Sequence, residues 1–277
     1  MVLPYVAYII SKTGVSCFFA RVGDQNSPVI DCRLYLEHIA NDISAKVQKT
    51  PAQNIDIKTE VLFFNPVDAL INYADQIKAE LVIIGSRGAS NQARWPLGNV
   101  AQKILRISKI PVLVVKRSPQ DVADVSGPLI KKILLPLDGS KLSETAIPHA
   151  ATMAGWTESE LVLTQVIQHV EVPSGSPATG ITWHVGDYEI YLRSQADNYL
   201  GKIAGSLKDT VKNVTSTVLT GSPAEQIIDY SEKSGVDLIV MSSHGRSGVG
   251  RWFFGSVTEK ILNGGDTPVL VIRQPAD

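Results

Sequence analysis

In the second half of the chain, short apolar, largely β-branched runs alternate with longer stretches whose apolar positions recur every three or four residues. The short runs at 133–137, 161–167, 214–219, 238–241 and 269–272 predict five strands. The longer ones at 142–154, 188–207, 224–233 and 256–262 predict helices between them. Pro223 suits a first helical turn, with Ser222 before it as a cap. Strand and helix in this rhythm predict a parallel sheet covered on both faces, an α/β fold.

The pattern repeats. Gly88 and Gly245, Trp95 and Trp252, Gly98 and Gly255, Pro111 and Pro268, and also Pro66 and Pro223, are each 157 positions apart. The chain therefore divides into a first half, 1–117, a linker, 118–129, with Pro119, Gly127 and Pro128, and a second half, 130–277. Carried back by that offset, the second strand falls on 4–10, the third on 57–63, the fourth on 81–84 and the last on 112–115. Lys132 would fall before residue 1. The first half is thus expected to begin at its second strand, without a counterpart of the first strand or of the helix after it. Natural loss and truncation both remain open as the reason.

Composition narrows the class. At 277 residues, 44% hydrophobic and 19% charged, the chain can fill the cores of two ordinary domains. A formal charge of -1 offers no long-range attraction to nucleic acid or acidic membranes. Cys17 and Cys32 make neither a disulfide framework nor a zinc site, and two reduced thiols are expected. The apolar start, 1–10, has no basic flank and is too short to span a bilayer. The expectation is a soluble, cytoplasmic protein.

Candidate chemistry sits where the fourth strand of each half ends. Ser242, Ser243, His244, Gly245, Arg246 and Gly248 follow an apolar run, and Gly255 and Ser256 open the next helix. Glycines there let the backbone turn tightly and approach a ligand, while several N–H groups and the helix's positive end face one concavity. Pro136, Leu137, Asp138, Gly139 and Ser140 follow the first strand of the second half. In an open doubly wound (Rossmann-like) sheet of order 3-2-1-4-5, the winding reverses between the first and fourth strands, where ligands bind. That order would set Asp138 beside Ser243, His244 and Gly245. Asp138 would accept from ribose hydroxyls or an adenine amine, and the glycine loop would hold phosphates.

These residues carry a resemblance. A Gly-x2-Gly-x9-Gly-(Ser/Thr) pattern, an early Pro-x-Asp and a closing Pro-Val-Leu-Val strand resemble the universal stress protein family, in its tandem two-domain form. The resemblance implies a five-stranded parallel sheet in each half, pairing through the last strand, and, for many members, ATP, here with Mg. In the second half Ser242 stands at the first glycine of the pattern, while Gly245, Gly255, Ser256 and Asp138 fit. Val166, Met241 and Val257 complete the nucleotide-contacting set it implies. In the first half Gly85, Gly88 and Gly98 fit, but Asn99 replaces the hydroxyl residue and the aspartate has no counterpart. The first site therefore reads as degenerate, and Arg87, at the place of His244, as a residue that would fill it.

Each feature also has a plainer reading. Glycine loops are ordinary connectors, Asp138 and Ser256 can cap helices, and Arg246 and Arg251 can be solvated. Trp95 and Trp252 suit packing more than stacking on a base. His149, His169 and His184 have no metal-ligand spacing, and 171–186 reads as a long loop near the site. No residue set resembles an activated nucleophile with its base. An adenylating enzyme would carry Ser-Gly-Gly-x-Asp-Ser after the first strand, whereas Leu137 to Ser143 reads Leu-Asp-Gly-Ser-Lys-Leu-Ser. The rival is a nucleotide-free pairing module for a protein partner. The edge strands 112–115 and 269–272 need covering, within the chain or in a homodimer. A first half without its first strand would expose apolar surface and favour the homodimer.

Overall fold

The computed structural model describes residues 2–23, 28–48, 55–86, 97–116, 128–168, 185–245 and 254–273. They form two compact units, one of residues 1–131 with 266–277 and one of residues 132–265.

In the second unit, strands β5 (Lys132–Pro136), β6 (Glu160–Ile167), β7 (Val214–Thr220) and β8 (Leu238–Ser242) form a parallel sheet in the order β7-β6-β5-β8. In order of appearance this is 3-2-1-4, so the winding reverses between β5 and β8. Ile133, Leu134, Leu135, Leu161, Leu163 and Leu238 are fully buried, as strands covered on both faces require. The covering helices are α6 (Ile147–Thr157), α7 (Val185–Leu207), α8 (Pro223–Lys233) and α9 (Ser256–Gly264), with a one-turn helix α5 (Lys141–Glu144) after β5. Sequence pattern read 142–154 as one helix. The chain instead breaks after Glu144 and restarts at Ile147, because Pro148 has no N–H to give and its ring crowds the preceding turn. The same proline fits the first turn of α6.

The first unit departs from expectation at its start. Residues 4–10 were expected as a strand, yet Leu3–Thr13 is a helix, α1, with Pro4 in its first turn. It ends on Gly14, whose left-handed φ of 67 lets its N–H reach Ile10 O at 2.8 Å. An unbroken apolar run suits a buried helix as well as a buried strand, and a proline cannot donate within a ladder. Strand β1 is Cys17–Val22, followed by α2 (Val29–Val47), β2 (Ile57–Leu62), α3 (Pro66–Gln76), β3 (Val82–Gly85), α4 (Asn99–Ile107) and β4 (Val112–Val115).

Register explains the error. Cys17 pairs with Ile57 as Leu161 pairs with Val214, so Cys17 matches Leu161 at an offset of 144 rather than 157. Pro4 and Pro148 obey the same shorter offset. The difference is absorbed between strand and helix, where β1 to α2 is much the shorter connection. The expectation that the first half has no counterpart of the helix after the first strand is therefore corrected. Helix α1 is that counterpart, with α6 its equivalent. Among the described residues no strand precedes β1. Strands β1 and β2 form a two-stranded parallel sheet separate from β3. Val6, Ala7 and Ile10 of α1 join Ile39, Ile43 and Val47 of α2 in one core, with Phe19 of β1 and Ile83 of β3 packed against it.

Strand β9 (Val269–Ile272) belongs to this first unit and pairs antiparallel with β4, itself parallel to β3. Leu113 faces Leu270, Val112 faces Val271 and Val114 faces Val269. Since Leu113 and Leu270 are equivalent positions of the repeat, the pair has a local twofold through them. The two edges expected to need covering cover each other.

Candidate functional site

The site lies at the carboxyl ends of β5 and β8, on either side of the reversal. At the end of β5, Leu137 is buried and donates its N–H to Thr164 O at 2.8 Å, which fixes the direction in which the chain leaves the sheet. Gly139, at φ 83, then turns it sharply in the left-handed region. Asp138 Oδ1 accepts from Ser140 N at 2.9 Å and from Ser140 Oγ at 2.6 Å. Ser140 Oγ accepts in turn from Ser143 N at 3.1 Å, capping α5. Asp138 N donates to Ser143 Oγ at 3.3 Å, and that hydroxyl donates to Ser140 O at 2.8 Å. The aspartate is thus both a turn residue and a rigidly held carboxylate.

Its second oxygen faces the other strand end. A Cβ placed on Gly245 would overlap Asp138 Oδ2 and stand 3.3 Å from Cγ. The residue after His244 has to be glycine for the carboxylate to lie where it does. At the end of β8, Ser242 and Ser243 are buried. The start of α9 is tied back onto them, with Gly255 N donating to Ser243 O at 2.9 Å and Thr258 Oγ1 to Ser242 O at 3.1 Å. A Cβ on Gly255 would meet Ser243 O at 3.4 Å, His244 Cα at 3.6 Å and Gly245 N at 3.9 Å. Gly255 is itself the N-cap of α9, so Ser256 is the first helical residue and its exposed hydroxyl does not cap the helix.

His244 Nδ1 shares a hydrogen bond with Ser243 Oγ at 2.9 Å, and His244 N donates to Ser242 Oγ at 3.4 Å. Its buried Nε2 has no hydrogen-bond partner among the described residues. Met241 is buried in β8, Val166 half-buried near the end of β6, Val257 half-buried in α9, and Pro136 closes β5. Arg246, Gly248, Arg251 and Trp252 lie outside the described residues, as do Arg87, Gly88 and Trp95 of the first half and most of 171–186. His149 is exposed on α6, and His169 and His184 are outside the described residues. No cluster of three metal-ligating side chains occurs among the described residues.

Sequence reasoning missed two residues beside Asp138. Tyr199 of α7 donates its hydroxyl to Glu144 Oε1 at 2.9 Å. Burial first, and then the carboxylates of Glu144 and Asp138, push the phenol well above its ordinary range. Both residues sit in ordinary amphipathic helical patterns, and no local signal marks them.

The first unit keeps part of this frame. Gly98 N donates to Ser86 O at 2.8 Å, as Gly255 N does to Ser243 O, and Asn99 opens α4 as Ser256 opens α9. The return from strand to helix is therefore common to both halves.

Comparison with known proteins agrees with this doubling. The Universal stress protein family profile matches residues 24–116 and again 129–273. A universal stress protein of Methanocaldococcus jannaschii is 33% identical over 147 residues, covering 53% of this chain and 84% of its own. One from Mycobacterium tuberculosis is 27% identical over 239 residues, covering 85% of this chain and 76% of its own. A universal stress protein from Archaeoglobus fulgidus shares the fold, with a TM-score of 0.59 at 21% identity over 99% of this chain and 93% of that one. Two profile matches on one chain, with relatives of that name spanning most of its length, make this protein a tandem member of the universal stress protein family.

Proposed function

We propose that the second half binds an adenine nucleotide, ATP with Mg, and that the protein acts through that site as a cytoplasmic stress-response and regulatory module. The observation that carries this reading is the meeting of Asp138 with Gly245, far apart along the chain, at the reversal of the sheet. A carboxylate held by its own turn supplies an acceptor for ribose hydroxyls or the adenine amine. Loop amides around Gly245, the start of α9 and the exposed Ser256 hydroxyl supply donors for phosphate oxygens. Donors and acceptor thus suit the two ends of one nucleotide. In this reading the described residues bind and orient the nucleotide.

Mass spectrometry of nucleotide released on denaturing the purified protein, with a thermal shift in Mg-ATP, tests this. A released adenine nucleotide and a raised melting temperature are expected. Absence of both overturns the reading. Gly255→Val, which drives methyls towards Ser243 O and His244 Cα, is expected to abolish binding.

The exposed apolar side chains of the first unit favour a second reading, a homodimerising or protein-pairing module. Ile30 and Leu34 stand one turn apart on α2 with 62% and 57% exposure, and Phe64 is 93% exposed. Phe64 also holds a left-handed φ of 76 at the place where the second half has Gly221. Since β4 and β9 already pair, this dimer would use a face other than the last strands. Light scattering that gives a clean monomer counts against it.

A further inference from the structure

The bond between Tyr199 and Glu144 joins two segments of the second unit that are 55 residues apart in sequence. Helix α5, which carries Glu144, is four residues long, too short to hold its shape without outside support. The acidic turn depends on it, because Ser140 and Ser143 bond both to Asp138 and to each other across the start of α5. Tyr199 stands on a long helix whose neighbours Ala196 and Leu200 are buried, so its own position is fixed by packing. Its phenol, raised by burial and by the carboxylates of Glu144 and Asp138, keeps its proton and remains a donor near neutral pH. The first half supplies the contrast. At the position matching Tyr199 it has Asp42, exposed and paired with Lys46 one turn on at 2.9 Å.

We infer that Tyr199 is a positioning residue for the nucleotide site: through Glu144 it pins α5 to α7 and so holds the Asp138 carboxylate against Gly245. The inference rests on the nucleotide reading above, but its mechanical part can be tested without ligand. Tyr199→Phe removes the hydroxyl and keeps the ring. In the nucleotide-free full chain, amide exchange at 138–144 is expected to quicken severalfold while β5 and β8 keep their protection. Unchanged exchange at 138–144 overturns the pin, whatever the protein does with ATP.

Binding titrations of Mg-ATP to wild type, Tyr199→Phe, Asp138→Asn and the double variant then test the link to the ligand. Tyr199→Phe is expected to weaken ATP about fivefold to tenfold, and to have almost no further effect in the Asp138→Asn background. Full multiplication of the two effects, or no loss in the single variant, overturns the positioning role. A wild type that binds no ATP refutes the parent reading, and with it the ligand half of this one, leaving the exchange result to decide the pin.

Discussion

At the scale of single residues, the site turns on what one carbon atom would displace. Gly245→Ala puts a methyl where Asp138 Oδ2 lies, so the carboxylate must move out of its turn. ATP affinity is expected to fall at least tenfold, about 1.4 kcal/mol, by titration calorimetry. Restored affinity is not expected from any Asp138 substitution that removes the acid. A second residue-scale prediction concerns Lys116, at the end of β4. Burial pulls its amine down to about 8, partly opposed by Asp266. The unfolded chain therefore holds more protons between that value and the ordinary lysine range, and stability gains from this group as pH rises through the interval. At pH 7 the burial cost is fully present. Lys116→Met is expected to stabilise the fold there by roughly 1–3 kcal/mol, with the gain fading by pH 10.5, as read by urea denaturation at the two pH values. Asp138 and Gly245 were legible because an acidic residue after a first strand and glycines after a fourth have local steric meaning. Tyr199 and Glu144 were not, since a helix pattern reports which face is buried and not which side chain waits across it.

Among elements, α1 and the β4–β9 pair carry the lessons. A run of eight apolar residues satisfies a buried strand and a buried helix equally, and only the partners choose. Here α2 and the faces of β1 and β3 supply a pocket that an all-round apolar helix fills. The strand pair makes a sharper prediction. Leu113 and Leu270 are buried and face each other across the local twofold. Truncating either to Ala is expected to cost about 2–5 kcal/mol. The double variant is expected to cost less than the sum by at least about 0.5 kcal/mol, since the second truncation removes a contact already lost. Chemical denaturation of the four proteins measures both, and strict additivity would mean that the facing leucines do not touch.

For the whole molecule, the strands differ in how completely they are covered. All six residues of β1 and all four of β3 are half-buried, whereas β8 is buried along its length and β6 through most of it. Amide exchange is expected to be at least about tenfold faster in β1 and β3 than in β6 and β8, because partly solvated ladders open more cheaply. Equal protection would show that β1 and β3 are as well supported as β6 and β8. Among the described residues no helix is long and apolar enough to cross a membrane.

Alternation of apolar runs, the repeat and the placement of Asp138, Gly245 and Gly255 were determined by the sequence itself. Each follows from a constraint felt within a few residues: strand and helix periods, the steric reach of a side chain, the cost of a Cβ in a tight turn. Tertiary structure decided the rest. It made residues 4–10 part of a helix, chose the antiparallel pairing of the last strand with β4, and aimed one oxygen of Asp138 at Gly245 while Tyr199 steadied its turn. Those outcomes depend on contacts between segments distant in sequence, and a hydrophobic pattern specifies how much surface must be buried without specifying against what.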